Sequence, residues 1–522
     1  MKVFIAEKIA DSGTDLLRSE GHEVVDATGL KREELLDRIG EADALIVRSA
    51  TKADAELFER APNLKVVGRA GVGLDNVDVE AATRQGVVVV NAPQSNILSA
   101  AEHTMALLLA VSRRIPEANT SLRSGKWERS RFEGVELHGK TLAVLGLGRI
   151  GTLVAQRAMA FGMRLVAYDP FVSAQRAAQI GVELMDLEDA LKVADFVTIH
   201  LPKTPETANL LNAERLALLK PEARVINVAR GGLVDEQALA DAVSSGQIAG
   251  AAVDVFVQEP CTESPLFEHD QIVVTPHLGA STTEAQDKAG LTIAEQVAIA
   301  LRGDLAPYAV NVDAGRELSD VVRPFLPLAE TLGKIFCGIA GGIGGEVAVT
   351  YHGPISNEDV RVVTLSALKG MLTPVVHEPV TFVNAPLLAS ERGMQYREEK
   401  HTTHRGYANQ LEIRAADGTV VSGTVVGPDG SPRITGIYDF AVEMPPGEWM
   451  CFLRYDDRPG VIGAIGTILG ETQINISDMR VGRQERGGEA LMALAVDQPI
   501  PPDTLERLRE GSGAKDAISL EL

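Results

Sequence analysis

The stretch Thr141-Leu-Ala-Val-Leu-Gly-Leu-Gly-Arg-Ile-Gly151 decides the architecture, because it joins an apolar run to Gly146, Gly148 and Gly151 in G-x-G-x-x-G spacing. A buried strand, a glycine turn and a helix opening at Arg149 and Ile150 are what a dinucleotide site requires, in that order. The first glycine permits the tight turn, the second lets backbone approach a pyrophosphate, and the third lets helix and strand pack closely. Phosphate oxygens then face the free N–H groups and the positive dipole end of the helix. A second apolar run, Arg164 to Tyr168, leads to Asp169, eighteen residues past Gly151, where a carboxylate accepts hydrogen bonds from ribose hydroxyls. The same carboxylate repels a 2′-phosphate, so NAD is expected rather than NADP.

The chain has 522 residues, enough for about three or four domains of ordinary size. Fifty basic against 72 acidic residues give a net charge of −22, which argues against nonspecific attachment to nucleic acid or to an anionic membrane. An anionic ligand therefore has to be held by local arginines. Cys261, Cys337 and Cys451 lie far apart without C-x-x-C spacing and suit a reducing compartment. The chain opens on an apolar run, Val3 to Ala6, with no basic segment or cleavage signal, and no apolar run reaches membrane-spanning length. These features lead to the expectation of a soluble cytoplasmic protein with no metal site and no nucleic-acid or membrane partner.

Before the fingerprint, short apolar runs recur at Lys2 to Ala6, His22 to Val25, Ala44 to Val47, Leu64 to Gly68 and Val87 to Asn91, with amphipathic stretches between them. That alternation predicts a parallel α/β sheet. After the fingerprint, Phe196 to His200, Arg224 to Val228, Gly250 to Val253 and Ile272 to Thr275 continue the nucleotide-binding sheet. Long helices over Ser99 to Arg113 and Thr283 to Arg302 are suited to carry the chain into an inserted lobe and back out. The expected class is α/β, with two doubly wound parallel-sheet lobes, the Rossmann-type lobe inserted in a flavodoxin-like one, and a ligand cleft between them. From about Asn311 the texture changes, with glycine-rich Phe336 to Gly345 and strand-like Val347 to Tyr351 and Leu411 to Ile413. The block from Trp449 reads βαββαβ, a ferredoxin-like unit.

Three residues at strand ends suit hydride transfer. His277 follows Val273-Val274-Thr275-Pro276 and has a pKa suited to taking a hydroxyl proton. Glu259, in Gln258-Glu259-Pro260, would orient that imidazole if the two meet. Arg230 follows the strand ending at Val228, and its planar fork can pair bidentately with an α-carboxylate. Each alone also reads as an ordinary loop residue. All three fall at the carboxyl edge of one sheet, where open α/β folds bind ligands.

These residues resemble the D-isomer-specific 2-hydroxyacid dehydrogenases, whose pattern matches Gly146 to Gly151, Asn227 to Gly232, Asp254-Val255-Phe256 with Glu259-Pro260, and Pro276-His277-Leu278-Gly279. The resemblance covers roughly residues 1–305. It implies that Arg230 binds substrate carboxylate, His277 is the acid/base and Glu259 supports it, while Gly146, Gly148, Arg149, Ile150, Gly151, Asp169, Val228 and Asp254 contact NAD. The whole chain looks like the branch of that family with an α+β intervening domain and a terminal ACT domain. The implied domains are substrate-binding (1–97 and 283–310), NAD-binding (98–282), intervening (311–446) and ACT (447–522). In that branch the substrate is 3-phospho-D-glycerate, held by Arg48, Ser49 and Arg69, with Arg129 reaching across a homo-oligomer, a dimer or tetramer. Tyr455, Asp457 and Asn475 are the implied contacts of an effector, L-serine, and Tyr455 stands where relatives use histidine. Arg397, Lys400, His401, His404 and Arg405 read as a solvated face, with an anion site as the alternative. Two rival readings stay open: a dehydrogenase of an unphosphorylated 2-hydroxy acid such as glyoxylate or hydroxypyruvate, and a non-catalytic NAD-sensing binding protein.

Overall fold

Val3, Phe4, Leu45, Ile46 and Val47 have no exposure to solvent, as parallel strands covered by helices on both faces require. The computed structural model describes residues 1–312, 318–343, 345–377, 379–403 and 406–522. The first lobe is a five-stranded parallel sheet in the order Glu23–Asp26, Lys2–Ile5, Ala44–Val47, Val66–Arg69, Val88–Asn91. This is the flavodoxin-like order expected. Its far edge is covered by the chain leaving the lobe, where Ala309 bridges Val90 and the Val310 N–H donates to Val89 O at 2.8 Å.

The second lobe is a seven-stranded parallel sheet built outward from Thr141–Leu145. On one side lie Arg164–Tyr168 and the two-residue strand Glu183–Leu184; on the other lie Phe196–Ile199, Arg224–Asn227, Gly250–Val253 and Ile272–Val274. The helix Ile97–Ser112 enters this lobe and the helix Thr283–Leu301 returns from it. The returning helix lies tight against the first sheet. A Cβ on Gly68 would stand 2.8 Å from both Ile293 and Val297, so glycine in that strand lets the helix approach.

Beyond residue 318 the sequence showed less than the structure holds. Glycine-rich Phe336 to Gly345 opens inside a helix: Phe325–Ala340 takes its first half and ends on Gly341, whose φ of 68° supplies the left-handed cap. The two strand-like runs belong to a six-stranded mixed sheet that includes Gln395–His401, Val420–Val426, Ser431–Ile437 and Phe440–Met444. The terminal unit is ferredoxin-like, with strand order Ile476–Arg483, Glu489–Val496, Trp449–Asp456, Asp516–Glu521.

Strand parity joins the last two units. Cys451, Leu453 and Tyr455 pack under the terminal unit's own helices. Met450 and Phe452, with Leu491, Ala493 and Ala495, face the other way and merge into the core of the intervening unit. The two units therefore share one hydrophobic core. Phe452→Ala removes a ring that is 2 % exposed, and the expected cost is about 3–5 kcal/mol. Scanning calorimetry should show both C-terminal units melting earlier together; a shift confined to one would contradict the shared core.

Candidate active site

The glycine loop has the shape a dinucleotide needs. Gly146 sits at φ 96°, and a Cβ there would come 2.6 Å from His200 O. A Cβ on Gly151 would lie 2.0 Å from Gly146 O, so the helix Arg149–Ala160 can start this close to the strand only without a side chain. Gly148 differs: a Cβ there would meet nothing within 4 Å. The protein's own packing does not demand that glycine, and the room it leaves fits a pyrophosphate. Arg149 and Gly148 are exposed at the helix start and Ile150 is half-buried beneath it. Asp169 accepts from Leu147 N at 2.8 Å and Phe171 N at 2.9 Å, which pins a carboxylate beside the loop. The residues present fit NAD.

A cleft of about 1030 Å³ contains His277, Glu259, Arg48, Ser49 and Arg69 on its lining. His277 Nδ1 and Glu259 Oε2 are 2.6 Å apart, which leaves Nε2 free for a substrate hydroxyl. Burial pushes the Glu259 carboxyl up, but hydrogen bonds from His277 and Phe256 N outweigh it and hold the group below its ordinary value. The Arg230 strand end packs against the Glu259 loop because residue 231 is glycine: a Cβ there would lie 1.9 Å from Phe256 O. Gly73 likewise makes way for Arg230, and Gly71 for Arg69. Arg230 Nε lies 3.5 Å from Asp75. Arg69 Nε is buried without a hydrogen-bond partner, and burial together with the nearby Arg230 guanidinium pushes its pKa down. Arg48 and Arg230 stand near Arg69, with Asp75 and Glu7 as the acidic groups that act on it, and guanidinium groups of this kind can pair with an anion.

Two expected positions, Asp254 and Tyr455, are buried more deeply than a ligand contact suggests. Asp254 is 0 % exposed. Its carboxylate accepts from Thr275 Oγ1 at 2.5 Å, Leu278 N at 2.7 Å and Gly279 N at 2.9 Å, with His103 Nε2 at 3.2 Å. It is a post under the His277 loop. His277 itself is held at φ 53°, its N–H donating to Asp254 O at 2.8 Å. Tyr455, expected to meet an effector, is 2 % exposed because alternation along its strand turns the ring into the terminal core. Arg129 is exposed and does not line the cleft of its own chain.

The remaining positions are spread out. Val228 is half-buried with its methyl against Gly279. Asp457 pairs with Arg483 at 3.1 Å and Asn475 with Asp497 at 2.7 Å. Arg397 pairs with Glu346 and Glu399, Lys400 donates to Glu358 O, and His401 stacks on His352, as a solvated face allows; His404 and Arg405 lie outside the described residues. Sequence reasoning missed Glu7, Asn76 and His103. Glu7 had a signal, since it follows a parallel strand at the ligand-binding edge; His103 and Asn76 act across long sequence separations. Among the described residues no helix is long and apolar enough to cross a membrane, and no cluster of His, Cys, Asp and Glu could hold a metal ion.

Fold and cleft define an NAD-dependent oxidoreductase of the two-lobed 2-hydroxyacid dehydrogenase type. Residues 105–279 match the profile for the D-isomer specific 2-hydroxyacid dehydrogenase NAD binding domain, 321–438 the D-3-phosphoglycerate dehydrogenase intervening domain, and 449–510 the ACT domain. The chain is 49% identical to D-3-phosphoglycerate dehydrogenase of Mycobacterium tuberculosis over 100% of its length and 98% of that protein. It is 42% identical to the Methanocaldococcus jannaschii protein of the same name, over 100% of both. Among solved structures, the TT0316 protein from Thermus thermophilus aligns with TM-score 0.56 and 38% identity, covering 59% of this chain and 100% of that one. The apo-structure of D-lactate dehydrogenase from Escherichia coli aligns at 0.53 and 27%, covering 59% and 100%. The chain belongs to the D-3-phosphoglycerate dehydrogenase family.

Burial pushes the Asp254 carboxyl up, but the hydrogen bonds from His103, Thr275 and Leu278 N outweigh it and keep the group below its ordinary value. A carboxyl lowered on folding adds stability that is present above the unfolded value, about 3.9, and is lost as pH falls through the folded one. Asp254→Asn should therefore cost about 1–3 kcal/mol at pH 7. Thermal melts from pH 7 to pH 3 should show the gap to wild type shrinking in acid; a gap independent of pH would contradict this role.

Proposed function

We propose that the chain oxidises 3-phospho-D-glycerate to 3-phosphohydroxypyruvate with NAD, the entry to L-serine synthesis, and that L-serine regulates it through the terminal ACT domain. The observation that carries this reading is Arg48 and Arg69 on the same cleft as the His277–Glu259 couple, with the Arg230 guanidinium close to Arg69, on a chain whose overall charge repels anions. NAD, when bound, supplies the nicotinamide carbon that accepts a hydride. His277 Nε2 takes the hydroxyl proton, and Glu259 stabilises the imidazolium through Nδ1. Arg230 grips the α-carboxylate and sets the face of the substrate that meets the cofactor. Arg48, Ser49 and Arg69 receive the phosphate. Gly146, Gly148, Arg149, Ile150, Gly151, Asp169 and Val228 hold NAD, with Asp254 acting from beneath the loop.

Arg129 is assigned to a neighbouring subunit's cleft in a homo-oligomer, a dimer or tetramer. The exposed Ile115, Leu122 and Trp127, the last 78 % exposed, support an apolar contact around the same arm. A cytoplasmic location is supported by three free cysteines, two of them buried, with burial raising the Cys337 thiol to about 11 and the Cys451 thiol to about 12. For the effector, Gly460 at φ 96° opens the N-terminus of the helix Val461–Glu471 near Asp457, and Asn475 is exposed. Tyr455 contributes core packing.

NADH formation should be measured with 3-phospho-D-glycerate and with D-glycerate and D-lactate, each with and without L-serine. Turnover should favour the phosphorylated acid by at least about 100-fold, roughly the loss of one or two charge-assisted contacts, and serine should lower it. Equal turnover on all three acids would favour the unphosphorylated-substrate reading; no turnover with intact NAD binding would favour a sensor. Arg230→Lys should lose about 100-fold in kcat/KM, because a point-charge ammonium cannot replace the planar fork. Near-normal turnover in that variant would remove Arg230 from the site.

A further inference from the structure

At the mouth of the cleft, four successive backbone N–H groups, those of Arg48, Ser49, Ala50 and Thr51, converge on one carboxylate. Glu7 accepts from Arg48 N at 2.9 Å, Ser49 N at 3.2 Å, Ala50 N at 3.1 Å and Thr51 N at 2.9 Å. Converging N–H groups of this kind are an anion-binding concavity, and here a protein carboxylate already fills it. From the opposite side Asn76 Nδ2 donates to Arg48 O at 2.9 Å and to Thr51 O at 2.6 Å. Arg48 Nη1 is in turn drawn to Lys8 O at 3.3 Å. The loop thus has donors spent on Glu7 and carbonyls spent on Asn76, and Glu7 and Asn76 are far from it in sequence.

We propose that Glu7 is a specificity-determining positioning residue, which locks the Arg48–Thr51 loop so that the phosphate end of the substrate is recognised by side chains and not by the loop's backbone. With the N–H groups taken, what the loop offers a phosphate is the Arg48 guanidinium and the Ser49 hydroxyl. Lys8, Lys52 and Arg69 line the same cleft and add positive charge. Asp11 and Asp287 line it too, so a phosphate that drifts meets repulsion. Correct placement of the loop therefore decides whether the dianion is met by cations or by carboxylates. Glu7 is suited to stay ionised: burial pushes its carboxyl up, and the hydrogen bonds from Thr51, Arg48 and Ala50 outweigh that and hold it below its ordinary value. A neutral amide of the same shape replaces one acceptor oxygen with hydrogens that face the N–H groups.

This inference rests on the phosphorylated-substrate reading, and the test separates the two. Steady-state reduction of 3-phosphohydroxypyruvate and of hydroxypyruvate by NADH is measured for wild type, Glu7→Gln and Asn76→Ala, with NADH affinity as a check on folding. Glu7→Gln should raise KM for the phosphorylated acid about tenfold, the equivalent of one weakened charge-assisted hydrogen bond, with kcat changed by less than about twofold. The values for hydroxypyruvate should stay near wild type, and Asn76→Ala should show the same phosphate-selective pattern. Wild type with no preference between the two acids overturns the substrate reading. A wild-type preference with equal losses on both acids in the variants, or with no loss, overturns the role of Glu7. If Glu7→Gln does not fold, Asn76→Ala decides the outcome alone by the same criterion.

Discussion

A full negative charge at a position closed to solvent is the constraint on which the catalytic edge depends. Asp254 is tolerated there only because the backbone of Leu278 and Gly279, the Thr275 hydroxyl and the His103 ring all turn toward it. Satisfying that charge fixes the turn Thr275–Gly279, and the turn carries His277. The positive φ at His277 follows from this. His277 is thereby placed by the Asp254 network together with its own N–H bond to Asp254 O, and Glu259 meets one ring nitrogen at 2.6 Å. His103 extends the same network to the helix Ile97–Ser112, whose Ser99 also bonds Thr282 at 2.8 Å, the cap of the returning helix. The two inter-lobe helices are therefore tied to each other at Ser99 and Thr282, and the entering one is tied to Asp254 through His103.

The first lobe solves the opposite electrostatic problem. In an acidic chain, cations for an anionic substrate have to be gathered locally, and gathered cations repel one another. Arg69 bears this cost, with a buried Nε that makes no hydrogen bond and Arg230 close by. Glycine at 71 and 73 makes the crowding sterically possible, since a side chain at either position would overlap a guanidinium. On the proposed reading, the arrangement would become favourable when a carboxylate and a phosphate enter, because the repulsion would then be converted into charge-assisted hydrogen bonding.

How much of this was legible depends on range. The strand–glycine–helix signal, the strand ends carrying Arg230 and His277, and the parallel order of both lobes are local patterns, and they read correctly from the sequence. The burial of Asp254 and Tyr455 was not legible. The resemblance implies a ligand contact at both, while the Tyr455 ring is turned by strand parity and the Asp254 carboxylate by partners more than twenty residues away, which no short motif reports. Glu7 and Asn76 were missed because their partners are backbone groups, invisible as residue types. The intervening unit was read most thinly: its two edge strands are exposed or alternating, as in Gln395–His401 and Phe440–Met444, and its long helix carries Gly333 and Gly338, which look like loop signals. Gly333 is glycine because a Cβ would stand 2.3 Å from Ala367 O on the neighbouring helix.

Any influence of the terminal domain on the cleft has to cross contiguous contacts, and the structure limits what those can be. The shared core makes the ACT sheet and the intervening unit one packed body. That body meets the first lobe at the turn before its edge strand: Thr381 Oγ1 donates to Gly86 O at 3.1 Å, and Asn384 stands where a Cβ on Gly86 would be. Asn311 binds the same region, donating to Val87 O at 2.9 Å and accepting from Val89 N at 2.9 Å. The strand Val88–Asn91 then runs directly to the cleft, where Asn91 Nδ2 holds Val72 O at 2.7 Å in the loop between Gly71 and Gly73. A shift of the C-terminal body thus bears first on the loop that makes room for Arg69 and Arg230, not on the His277 turn. Coupling along this route would alter how the substrate's anionic ends are held before it altered proton transfer.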